Sequence, residues 1–172
     1  MGNQISRRNI VAVLFAVPAI ALGAPPPQQG RQPANGVYAV LREGPTREEV
    51  EQEKTAHFTI LYDRKYLDEA VKQPAKYVAL DSSSFVPFVL AGPPQIDGTY
   101  RDHPTLSLRL SPDNVKLLEK FTSTHMGGSV ATVIDGEIIT MHKVRSVIKD
   151  GQVQISRCTD NACRILRMKL AK

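Results

Sequence analysis

Thr105-Leu106-Ser107-Leu108-Arg109-Leu110-Ser111-Pro112-Asp113 and Gly128-Ser129-Val130-Ala131-Thr132-Val133-Ile134-Asp135-Gly136-Glu137-Ile138 decide the fold. In the first, three leucines alternate with polar residues, the period of a strand with one buried face. Ser111-Pro112-Asp113 then places an N-cap, a proline at the first helical position and an acid beside the positive end of the helix dipole. Val115, Leu118 and Phe121 follow at helical spacing, which predicts an amphipathic helix from 112 to about 125, ended by Gly127-Gly128. In the second stretch, Val130 to Ile134 and Glu137 to His142 are strand-like runs joined by Asp135-Gly136, the residue pair of a two-residue hairpin.

Working outward, Asp150-Gly151 marks another turn into a strand from Val153 to Ser156, and Thr159 caps a last helix with Ala162, Ile165, Leu166 and Leu170 facing inward. Towards the N-terminus, Val37 to Leu41, Phe58 to Tyr62, Tyr77 to Leu80 and Phe85 to Leu90 are of strand length. A short charged helix is expected from Thr46 to Lys54, and one or two helical turns between Asp63 and Lys72. Ala91 to Pro104, with Gly92-Pro93-Pro94, Asp97-Gly98 and Pro104, reads as a long loop, and Asp81-Ser82-Ser83-Ser84 as another. The order predicts an α+β domain, a mixed or antiparallel sheet with helices packed on one face.

The chain has 172 residues, 42% apolar and 23% charged, with no Trp, two Cys and a formal charge of +5, which excludes a multi-pass membrane protein, a collagen and a disulfide-dense mini-protein. Arg7-Arg8 followed by an apolar run from Ile10 to Leu22 reads as a secretory signal peptide over residues 1–23. As a helix that run spans only about 20 Å of a hydrocarbon core near 30 Å. Ala21-Leu22-Gly23 or Ala19-Ile20-Ala21 supplies the cleavage site. Ser6-Arg7-Arg8 also resembles a twin-arginine start, and Met1-Gly2-Asn3-Gln4-Ile5-Ser6 formally fits a myristoylation pattern, a coincidence ahead of an export segment. Residues 24–36, rich in Pro, Gln and Gly, read as an extended linker, with residues 37–104 and 105–172 as the two halves of the mature domain. The expected location is the bacterial periplasm, without an integral membrane segment once the signal is removed.

Taken together, Leu106 to Leu110, Phe121-Thr122-Ser123-Thr124, Gly128 to Ile138, Ile148-Lys149-Asp150-Gly151-Gln152-Val153-Gln154-Ile155 and Thr159-Asp160-Asn161-Ala162 resemble the first periplasmic (P1) head subdomain of the SecD protein-export subunit. The resemblance runs from Thr105 to the C-terminus and implies an α+β domain that contacts emerging preproteins. It does not imply proton-driven export, because the family's energy coupling lives in transmembrane helices. Ser156-Arg157 stands where the family usually has a Gly, and His142-Lys143 where it has a small residue and Pro.

Cys158 and Cys163 occupy the N′ and N4 positions of the last helix, which a hydrophobic staple brings together. Three readings stay open for them: a disulfide, two packed thiols, or a redox pair, the last without Cys-x-x-Cys spacing. His57, His103, His125 and His142 lack metal-ligand spacing, and no phosphate loop, His-Glu-x-x-His or calcium loop occurs. No cofactor is expected. From Lys143 to Lys172 there are eight Lys or Arg against two acids, so Arg157, Arg164, Arg167 and Lys169 form the candidate binding surface. No aromatic residue interleaves the basic run to stack bases, which argues against nucleic acid.

The leading expectation is a non-enzymatic periplasmic domain that binds an exported polypeptide or an envelope component. One alternative is a secreted hydrolase or enzyme inhibitor with its site in 37–104, marked by His57, Asp81 or His103 converging on a deep pocket. The other is an envelope-surface protein held to anionic lipid by the basic helix.

Overall fold

The computed structural model describes residues 32–67, 73–100, 103–156 and 158–171. The expected signal peptide and most of the linker lie outside the described residues, as do the end of the 63–72 segment and Arg157. No helix among the described residues is long and apolar enough to cross a membrane.

The chain runs β1 (Gly36–Gly44), α1 (Arg47–Glu51), β2 (His57–Tyr62), β3 (Lys76–Pro87), β4 (Gln95–Tyr100), β5 (His103–Arg109), α2 (Pro112–Thr124), β6 (Ser129–Ile134), β7 (Glu137–Lys143), β8 (Gln152–Ile155) and α3 (Asp160–Leu170). The fold is α+β, but the single sheet expected from the sequence is two. A five-stranded sheet has the order β2-β3-β1-β6-β7 and a three-stranded sheet the order β4-β5-β8. Every strand pair is antiparallel, so the mixed alternative does not occur among the described residues.

The alternation in 105–110 buries Leu106, Leu108 and Leu110, as its period requires. At the β6–β7 turn Asp135 and Gly136 take φ of 54° and 75°, the left-handed pair of a type I′ hairpin. Ser111 sits at the N-cap of α2 without a side-chain bond to the helix backbone; its hydroxyl donates to Asn114 Oδ1 at 3.1 Å. Asn114 in turn donates to the Pro87 carbonyl at 2.8 Å, tying α2 to β3.

Two expected loops are strands instead. Asp97-Gly98 lies inside β4, where the pairing with β5 shifts register between Asp97 and Thr99, so the glycine marks a bulge rather than a turn. Asp81 to Ser84 lies inside β3, where the pairing with β1 jumps from Tyr38–Phe85 to Val40–Leu80. There Asp81 Oδ1 accepts from the backbone N–H of Ser83 and Ser84, and Ser82 N–H and Oγ both donate to the Ala56 carbonyl. Side chains and a neighbouring strand thus satisfy a backbone that the β1 ladder does not.

One core packs Val37, Ala39, Val86, Ile134 and Ile139 of the larger sheet against Leu106, Leu108, Val153 and Ile155 of the smaller, with Leu118 and Phe121 of α2 and Leu166 of α3. A second core lies on the opposite face of the larger sheet around Tyr38, Tyr62, Val78, Leu80, Ala131, Val133 and Ile138. The Tyr62 phenol reaches the Met141 backbone, so the outer strands β2 and β7 curl towards each other over this second core. β1 lies between β3 and β6, which places both halves of the chain in one sheet.

Candidate functional site

The sequence places its candidate surface on the last helix, and the structure builds that helix in from both ends. At the N-terminal end Thr159 Oγ1 accepts from Ala162 N–H at 3.3 Å. Cys158 and Cys163, both fully buried, are joined by a disulfide with a Cα–Cα distance of 5.9 Å, in the ordinary range. Of the three readings open for these cysteines, the covalent staple is the one present. A β-bridge between Cys158 and Leu67 ties the same point to the first half of the chain.

At the C-terminal end, Lys169 Nζ lies 3.0 Å from Asp135 Oδ2 and 3.2 Å from Glu137 Oε2, and donates to the Tyr66 hydroxyl at 3.4 Å. Tyr66 donates to Glu137 Oε2 and Lys65 to Glu137 Oε1. Burial alone would raise the Glu137 pKa, but the hydrogen bonds from Lys65, Tyr66 and Lys169 outweigh it and hold the carboxyl at about 2. Lys169 is shifted upward: partial burial opposes its charge, and Asp135, Glu137 and Tyr66 more than offset that. The β6–β7 turn carrying two of these acids is itself braced by Asn35, whose Oδ1 accepts from Asp135 N–H at 2.7 Å.

Lys169 is therefore engaged within the domain. The candidate surface narrows to Arg164 and Arg167, both exposed. Beside them stand two apolar side chains: Ile165, 40% exposed, and Met168, 62% exposed. Ile165 was expected to point inward with Leu166. The buried stripe of α3 instead runs through Ala162, Cys163 and Leu166, which turns Ile165 outward. The outer face of α3 is thus cationic and apolar at once, and its apolar half went unread because Ile165 and Met168 fit helical core spacing equally well. The other named turn, Asp150-Gly151, lies away from this helix in sequence and closes the chain against α2, with Gly151 at φ 67°.

Among the described residues, the histidines that would mark an enzyme lie in different sheets. His57 is buried opposite Asp81 in the β2–β3 register, with its Nδ1 2.7 Å from the Thr55 carbonyl. His103 begins β5, in the other sheet. Neither of the two surface clefts described is lined by His57, Asp81 or His103. Ser84 Oγ lies 3.3 Å from His125 Nε2, while His125 Nδ1 is 2.8 Å from the Phe121 carbonyl at the end of α2. No group of three or more His, Cys, Asp or Glu among the described residues is placed to hold a metal ion.

Comparison with known proteins gives these elements a family context. Residues 92–170 match the family model of the SecDF P1 head subdomain. A structure described as a membrane component SecDF that enhances protein export matches at 26% identity, covering 47% of this chain and 37% of that one, with a TM-score of 0.42. A crystal structure of SecDF in a super-membrane-facing form matches at 18% identity, covering 78% of this chain and 18% of that one, with a TM-score of 0.46. The chain therefore spans well under half the length of either structure. No curated protein matches it. Residues 92–170 are thus SecD P1-head-like.

Proposed function

We propose that this protein is an exported, periplasmic binding protein that contacts a polypeptide in transit through the envelope, and that it does so without catalysing a reaction. The observation that carries the reading is the exposed α3 face inside the head-like region: Arg164, Ile165, Arg167 and Met168 stand together on a helix clamped at both ends. Two guanidinium groups, the Met168 thioether and the Ile165 side chain suit segments of mixed sequence, since a thioether adapts its shape and Arg forks bind carboxylates and backbone carbonyls. The clamping matters because a rigid helix loses little freedom on binding.

The test is photocrosslinking in the periplasm from a probe at Met168, followed by mass spectrometry. Exported polypeptides are expected among the adducts, and Arg164→Glu with Arg167→Glu should reduce their yield at least about fivefold, about 1 kcal/mol. Recovery of the same low background from Met168 and from an exposed control position such as Lys54 would overturn the reading. Sequencing of the mature N-terminus tests export separately: a chain starting at Leu22 or Ala24 is expected, and an intact Met1 in the periplasmic fraction would refute cleavage.

A further inference from the structure

A second feature lies on α2, away from the α3 face in sequence and independent of the polypeptide reading. Lys116, Glu119, Lys120 and Ser123 line one wall of a groove of about 420 Å³, and Val147 and Lys149 line the other. Lys116 and Lys120 are one helical turn apart on the outer side of α2, and Lys149 faces them from the loop that follows β7. All three lysines are exposed, and none has an ion-pair partner among the described residues. Lys65, Lys76 and Lys169 by contrast meet carboxylates, while Lys54 and Lys143 stand exposed and apart from this groove in sequence.

The groove is built rather than incidental. Ile148 N–H donates to Thr122 Oγ1 at 3.0 Å, fixing the loop to the inner side of α2. At Gly151 an added Cβ would lie 2.3 Å from Val115 Cγ2, so the loop approaches the helix as closely as glycine alone allows. These contacts hold Lys149 across from Lys116 and Lys120, and three cations against the one Glu119 carboxylate keep the local potential positive.

We infer that this groove binds a phosphoryl anion. Three ammonium groups against the single Glu119 carboxylate leave the groove lining at net +2, which matches a compact group with two negative charges, for which lysine serves as a point charge, and the Ser123 hydroxyl adds a donor to an oxyanion. A single carboxylate would leave half of that charge uncompensated.

Sodium tripolyphosphate is the soluble probe, read by amide chemical shifts in the intact protein. Shifts are expected at Ser123 and Lys149, with affinity at least about tenfold weaker in Lys120→Glu with Lys149→Glu. The charge-matched pair Arg42→Glu with Lys54→Glu, on exposed residues of the first half, should change it less than about twofold. Sedimentation with phosphatidylglycerol vesicles then identifies the source. Cosedimentation lost in the Lys120, Lys149 variant assigns the site to lipid headgroups, and tripolyphosphate binding without cosedimentation assigns it to a soluble phosphoryl compound. Absence of shifts in the groove, equal loss in both variants, or displacement of tripolyphosphate by poly-glutamate at equal charge would each overturn the inference.

Discussion

Glu137 shows how a single side chain acquires a role that its own neighbours in sequence do not foretell. It follows the hairpin glycine and would pass as a solvated strand residue, yet Lys65, Tyr66 and Lys169 reach it from two other parts of the chain. Because its folded-state pKa is depressed to about 2 from a usual 4.5, its contribution to stability is present above about pH 4.5 and lost as pH falls through about 2. Glu137→Gln should therefore lower the unfolding free energy at pH 7 by about 1 kcal/mol, a value discounted because the carboxylate is partly exposed. That deficit should shrink steadily between pH 4.5 and 2 in urea titrations, and a deficit unchanged across the window would show that the ion network does not stabilise the fold. The same network neutralises Lys169 within the domain, whereas Arg164 and Arg167 have no ion-pair partner among the described residues.

At the scale of elements, local signals were legible wherever the chain supplied its own punctuation. Thr159 caps α3, Pro112 opens α2 and Asp135-Gly136 turns the hairpin, each for a reason contained within a few residues. The same punctuation misled at Asp97-Gly98, because a glycine that would turn a free chain becomes a bulge once β5 and β8 extend the sheet. It misled again at Asp81 to Ser84, where side chains bond their own backbone and resemble a loop, while His57 of β2 pairs with Asp81 and the Ala56 carbonyl accepts from Ser82. The disulfide is an element-scale device, holding the first turn of α3 to the residue before its cap. Its loop has a sequence separation of only 5, so removing it by Cys158→Ser with Cys163→Ser should cost about 2 kcal/mol, below the value for longer loops. Urea unfolding should show the loss, with the first turn of α3 exchanging its amides fastest. Alkylation of both cysteines in the unreduced mature protein would show that the bond does not form.

For the whole molecule, the boundary near residue 105 is a boundary of resemblance and not of packing. β6 pairs with β1, and the main core mixes Val37, Ala39 and Val86 with Leu106, Leu118 and Ile155. A chain beginning at Thr105 would leave β6 without its partner on one side and expose the second core around Ala131, Val133 and Ile138, so it should stay unfolded by circular dichroism while the mature protein unfolds in one transition. Cooperative melting of the shorter chain would refute a shared core. The sequence by itself determined the α+β class, the order of elements after Thr105 and the hairpin turn, because period, caps and turn residues act over a few positions and survive in any context, and its residue matches carried the likeness to the SecD head. Only the tertiary structure decided that the strands divide into two sheets, that Ile165 and Met168 face outward while Lys169 faces in, and that three lysines meet across a groove. Those outcomes depend on which distant strand supplies the next hydrogen bond and which distant carboxylate neutralises a charge, and neither is encoded within the few residues that set a local conformation.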